Sequence, residues 1–97
     1  MPTYILLVNW TDQGVRNAKE SPKRLDAARE MARKFGAELK DTYLTMGSYD
    51  LVSVLEAPDD QAVAKFVLSA GALGSIRTTT LKAFTEAEYR DIMRTLG

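Results

Sequence analysis

Cysteine and histidine are both missing from the 97 residues, and their absence removes more chemistry than any motif supplies. No disulfide can form, no thiolate can act as a nucleophile, no imidazole can serve as a general base, and Cys/His ligation of zinc or haem is excluded. A carboxylate site for magnesium or calcium needs loop-like ligand spacing that the acidic residues do not show. No metal and no cofactor is expected. Charge of one sign is lacking too: 13 basic and 13 acidic residues cancel, so no global field draws the chain to nucleic acid or to an acidic membrane surface. No apolar run approaches the roughly 20 residues that span a bilayer, and Tyr4 to Val8 is too short for a signal-peptide core. The expectation is a cytoplasmic protein with neither nucleic acid nor membrane as a partner.

What is present is ordinary globular usage, 45% apolar and 27% charged, in a chain long enough to bury roughly 60 to 65% of its unfolded surface without staples. No linker or low-complexity tract divides it, so residues 1–97 read as one domain. Tyr4-Ile5-Leu6-Leu7-Val8 is continuously apolar, short and flanked by polar residues, the pattern of a strand covered on both faces. Trp10 to Glu20 is polar, contains Gly14 and reads as a loop with room for a helical turn. Ser21-Pro22 predicts a capped helix with proline at its first position. Its apolar stripe is Leu25, Ala28, Met31, Ala32 and Phe35, and Gly36 ends it.

Ala37 to Met46 and Tyr49 to Glu56 predict two strands joined by a tight reversal at Gly47-Ser48. Ala57-Pro58-Asp59-Asp60 opens a second helix whose acidic first turn complements the helix dipole, with Val63, Phe66, Val67 and Ala70 on one face. Ser75 to Phe84, rich in β-branched residues, predicts a fourth strand. Thr85 and Glu88 then form a capping box before Tyr89, Ile92, Met93 and Leu96, an amphipathic terminal helix. The order is βαββαβ plus one helix: an α+β ferredoxin-like sandwich with an antiparallel four-stranded sheet and an extra C-terminal helix. In that arrangement the helices cover one face of the sheet. Because the first strand is central and apolar on both sides, the other face needs a cover, and a second copy of the chain is the expected partner, as a homodimer or an assembly of dimers.

Gly47-Ser48-Tyr49-Asp50 carries a glycine, tyrosine, aspartate signature, and the chain resembles the GYD domain family. The likeness extends through Asn9-Trp10-Thr11-Asp12-Gln13-Gly14, Pro22-Lys23-Arg24-Leu25-Asp26-Ala27, Tyr43-Leu44-Thr45-Met46, Glu56-Ala57-Pro58-Asp59-Asp60 and Arg77-Thr78-Thr79-Thr80-Leu81. It covers nearly the whole chain up to Phe84. The resemblance implies a ferredoxin-like dimeric α/β barrel and little settled biochemistry.

Six residues are candidate ligand contacts: Trp10, Gln13, Arg16, Tyr49, Asp50 and Arg77. Asp50 is either a charge anchor for a ligand or an acceptor within the turn, and Tyr49 either offers its hydroxyl or packs. Trp10, Gln13 and Arg16 follow a central strand, where binding residues concentrate, but Trp10 can equally be buried against a subunit interface. Arg77 suits an anionic ligand or a carboxylate across a subunit boundary. Arg16, Lys19, Lys23 and Arg24 gather at the entry to the first long helix, either an anion site or a solvated face interleaved with Asp12, Glu20 and Asp26.

No complete acid, base and nucleophile constellation is visible, and no catalytic residue is assigned. The leading expectation is therefore a module that binds a small ligand or a partner in a regulatory role. A cofactor-free enzyme of isomerase or oxygenase type, with Tyr49, Asp50 and Arg16 polarising the substrate, and a purely structural oligomerisation module are the alternatives.

Overall fold

A computed structural model describes all 97 residues. The elements are β1 (Thr3–Trp10), a short α1 (Asp12–Arg16), a single 3-10 turn (Ala18–Glu20), α2 (Ser21–Lys34), β2 (Glu38–Leu44), β3 (Leu51–Glu56), α3 (Asp60–Ala72), β4 (Ile76–Ala83) and α4 (Glu86–Arg94). The strands form one antiparallel sheet in the order β2-β3-β1-β4. This is the α+β ferredoxin-like arrangement, with β1 in the interior of the sheet as its two apolar faces require.

Alternation along β1 sorts its side chains. Tyr4, Leu6 and Val8 are buried beneath the helices, whereas Ile5 and Leu7 point to the other side and stay half-exposed. The helices bring their expected stripes: Ala32 from α2, with Leu25, Ala28, Met31 and Phe35 packed at its margin, and Ala62, Val63, Phe66 and Ala70 from α3. Leu39, Leu55, Ala37 and Ala57 complete one continuous core. Asp59 caps α3 by accepting from the Ala62 amide at 2.8 Å, which satisfies a donor that the helix itself cannot.

Two local expectations are corrected and one is sharpened. Ser21 does not cap α2: it already has helical dihedrals, the cap position is Glu20 without a side-chain bond, and the 3-10 turn feeds directly into the helix. The segment before α2, expected as a loop with room for a helical turn, contains that turn as α1, which starts where the Thr11 hydroxyl accepts from the Gly14 amide, and the 3-10 turn follows it. The reversal between β2 and β3 is wider than two residues. The Thr45 amide donates to the Asp50 carbonyl at 2.9 Å, and Gly47 adopts a φ of 118° within the loop, a conformation open to glycine.

A bulge between Leu39 and Thr42 inserts one extra residue opposite β3. It re-phases the strand. Leu39 lies opposite Leu55 and Thr42 opposite Ser53, both on the helix side, so Tyr43, opposite Val52, falls on the other face. Thr42 Oγ1 and Ser53 Oγ are 2.9 Å apart, which gives the buried serine hydroxyl its partner.

Candidate functional site

The face of the sheet turned away from the helices carries Ile5 and Leu7 from β1, flanked by Val54 and Val52 on β3 and by Leu81 on β4, with Tyr43 beyond Val52. None of these six is buried, and Tyr43 and Leu81 are 60% and 46% exposed. Polar groups ring this centre: Lys40 lies 3.7 Å from Glu38 and 3.6 Å from Glu56, and Asn9 stands opposite Arg77 at the other end.

Beyond β4 the chain does not fold back over this face. Every residue from Phe84 to Gly97 is exposed. The α4 helix itself is well made, with both halves of the capping box formed: Thr85 Oγ1 accepts from the Glu88 amide at 3.2 Å and Glu88 Oε1 accepts from the Thr85 amide at 2.8 Å. The bond from the Thr85 amide, helped by the Thr85 hydroxyl, holds the Glu88 carboxyl below its ordinary value. Its stripe of Tyr89, Ile92 and Met93 nevertheless meets solvent. An amphipathic helix without a surface to cover and an apolar sheet face without a cover thus occur in one molecule.

At the end of the sheet where β1 stops, the signature loop is tied to the central strand. The Asp50 amide donates to the Val8 carbonyl and the Asp50 carboxylate accepts from the Trp10 amide, each at 2.9 Å. The side chain thereby supplies the ladder acceptor that β3, which begins at Leu51, no longer provides. Thr45 Oγ1 donates to the Tyr49 carbonyl at 2.5 Å and closes the loop. Across β1, the Thr11 amide donates to the Ser75 carbonyl at 3.0 Å and its hydroxyl to the Gly74 carbonyl at 2.5 Å. These bonds press α1 onto the start of β4 so closely that a Cβ on Gly14 would lie 2.0 Å from the Ser75 carbonyl oxygen.

The six sequence candidates are therefore distributed. Trp10 and Asp50 are joined by the bond from the Trp10 amide to the Asp50 carboxylate, with Tyr49 next to them in the loop. Gln13 reaches the α3–β4 connection, its Nε2 lying 3.5 Å from the Leu73 carbonyl. Arg16 is exposed in the last turn of α1, and Arg77 is exposed on the open face. Only Trp10 lines the cavity of about 80 Å³ that separates the sheet from α2 and α3. Arg24, which sequence reading groups with a basic cluster, instead donates to the Asn17 carbonyl at 2.9 Å and the Gly14 carbonyl at 3.2 Å.

A second polar cluster, at the opposite end of β1, is absent from any sequence pattern. The Tyr4 hydroxyl donates to the Asp60 carboxylate, and Lys82 Nζ sits 3.5 Å from the same carboxylate and 5.8 Å from the centre of the Tyr4 ring. The bond to Asp60 and burial push the Tyr4 hydroxyl up to about 12, while that bond and the Lys82 ammonium hold Asp60 below its ordinary value. The Tyr4↔Lys82 register is the cross-strand signal behind it; Asp60 arrives only when α3 docks. No group of three acidic side chains converges to hold a metal ion, and no helix is long and apolar enough to cross a membrane.

Comparison with known proteins places these features in context. The GYD domain model matches residues 4–93. A protein of Thermus thermophilus named glutamine synthetase and cystathionine beta-lyase binding protein is 37% identical over 89 residues, spanning 91% of this chain and 94% of that one. Among solved structures, MtbAldR superposes with a TM-score of 0.68 at 16% identity over 88% of this chain and 52% of that one. The feast or famine regulatory protein of M. tuberculosis, solved with L-methionine, does so with a TM-score of 0.67 at 13% identity over 88% and 51%. The chain spans about half the length of these two structures, and at such identities the likeness is one of fold.

Proposed function

The chain belongs to the GYD domain family, and from that premise we propose that it is an oligomeric binding module in which a second copy covers the open sheet face and the assembly engages a protein partner in a regulatory role. The observation that carries the reading is the pairing of an uncovered apolar face, centred on Ile5, Leu7, Val52 and Val54, with the unpartnered stripe of α4. Face-to-face packing of two such sheets removes both apolar centres from water, and α4 can then lie across the edge of the neighbouring sheet. Burial of this kind is the dominant favourable contribution to most protein association. The name of the Thermus relative, a binding protein for two enzymes, supports a protein partner over a substrate.

Sedimentation tests the proposal. Alone at micromolar concentration the protein is expected at twice its 10.8 kDa protomer mass, and Val54→Lys, which places an ammonium in the apolar centre, is expected at the protomer mass with its fold intact. Mixed with glutamine synthetase or cystathionine beta-lyase, the wild type is expected to move with at least one of them. A monomer that travels with neither enzyme refutes the reading.

A further inference from the structure

The cavity on the helix side of the sheet is apolar over most of its wall, formed by Leu6, Val8, Leu25, Phe66 and Ile76 among others, and Ser21, Arg24 and Trp10 also line it. It continues outward into a groove that shares Trp10, Ser21, Leu25 and Leu51 and adds Lys19. The polar groups here are unequally committed. Ser53 is paired with Thr42, whereas Ser21 caps nothing at the start of α2. Arg24 spends one Nη1 and one Nη2 proton on backbone carbonyls, so its Nε–H and one proton on each Nη remain uncommitted.

Arg24 also differs from every other cation in the chain. Only Arg24 and Arg29 among the lysines and arginines are half-buried, and Arg29 has Asp26 at 3.7 Å. Arg24 forms no ion pair. A partly desolvated guanidinium without a carboxylate, on the wall of an apolar cavity, is complementary to a small anion with a hydrocarbon body, because a carboxylate accepts the remaining fork of donors and the body fills the void. The cavity holds about 80 Å³, close to half of the ~150 Å³ that accommodates benzene, which limits the body to a few carbons.

We propose that this cavity binds a short-chain aliphatic monocarboxylate, its tail among Leu6, Val8, Leu25 and Phe66 and its carboxylate on Arg24 and Ser21 at the mouth beside Trp10. The proposal goes beyond the binding-module reading by adding a small ligand, and its site lies on the opposite face of the sheet from the surface where a second copy would sit. Failure of one therefore leaves the other standing.

The test is a nitrogen-15 NMR titration of the full chain with 3-methylbutanoate, read at the Trp10 indole N–H, with 3-methylbutan-1-ol as the uncharged control. A ligand this small is expected to saturate in roughly the millimolar range. The alcohol, and the acid on Arg24→Met, should bind about tenfold more weakly or worse. Because Arg24 also holds two carbonyls, Ala28→Leu supplies an independent arm: it fills the cavity from α2 and should abolish the shift while leaving Arg24 in place. A carboxylate that gives no saturable shift, an alcohol that binds as well as the acid, or an Ala28→Leu chain that binds like the wild type each overturns the proposal. Mass measured on the same samples separates this result from that of self-association.

Discussion

Replacing Asp50 with alanine deletes the one side-chain acceptor that continues the β1–β3 ladder past Leu51. In the folded protein the carboxylate accepts from the Trp10 amide at 2.9 Å in a half-buried position, while the bond from the Asp50 amide to Val8 is backbone and survives the substitution. A hydrogen bond to a charged acceptor is worth about 1.5–3 kcal/mol, and partial exposure places this one near the middle, about 2 kcal/mol. For a chain of this size that corresponds to roughly 8–16 °C in Tm, compared at fixed protomer concentration so that association does not enter. Asp50→Asn keeps an uncharged acceptor and should lose only about 0.5–1 kcal/mol. Urea unfolding followed by the fluorescence of Trp10, the sole tryptophan, measures both at the site itself. A loss below about 0.5 kcal/mol for Asp50→Ala, the range of an indifferent surface change, or equal losses for the two variants, would show that the carboxylate does not hold the strand end.

Two further expectations follow from close contacts. Gly14→Ala forces a Cβ against the Ser75 carbonyl oxygen, and since Thr11 already bonds both Ser75 and Gly74 there is no slack. The cost should reach about 3 kcal/mol, seen as a lower urea midpoint with new proteolytic cleavage between residues 11 and 20. Tyr4→Phe removes the bond to Asp60 and with it a pH dependence. The Tyr4 hydroxyl titrates in the folded chain at about 12 against an ordinary 10.0, so its stabilisation is complete below pH 10 and is lost as pH rises towards 12. Asp60, held below its usual 3.8, contributes stability above that value and loses it as the solution becomes more acidic. Wild-type stability should therefore fall relative to the variant at both extremes, and parallel curves in thermal melts across pH would refute the coupling.

Features set by neighbours in sequence were legible without coordinates. The unbroken apolar run from Tyr4 to Val8 requires cover on both faces and so an interior place in the sheet. The stripes of α2 and α3 recur at helical spacing, and Thr85 closes a capping box with Glu88 three positions on. The signature tetrapeptide marked where the chain turns, but not what its aspartate does, because the Trp10 amide that bonds Asp50 lies 40 positions away.

Tertiary structure decided what depends on several segments at once. Strict alternation would put Leu39 and Tyr43 on one face, yet the bulge sends Leu39 inward and Tyr43 to the open side, since only pairing with β3 sets the phase. The start of α2 was decided by the 3-10 turn packed before it, and the Tyr4, Asp60 and Lys82 cluster exists only because α3 docks over the end of β1. Arg24 carries the same point furthest. In sequence it is one of several neighbouring cations, and folding alone makes it the half-buried one without a carboxylate, because burial and the distance to an opposite charge are properties of the packed chain.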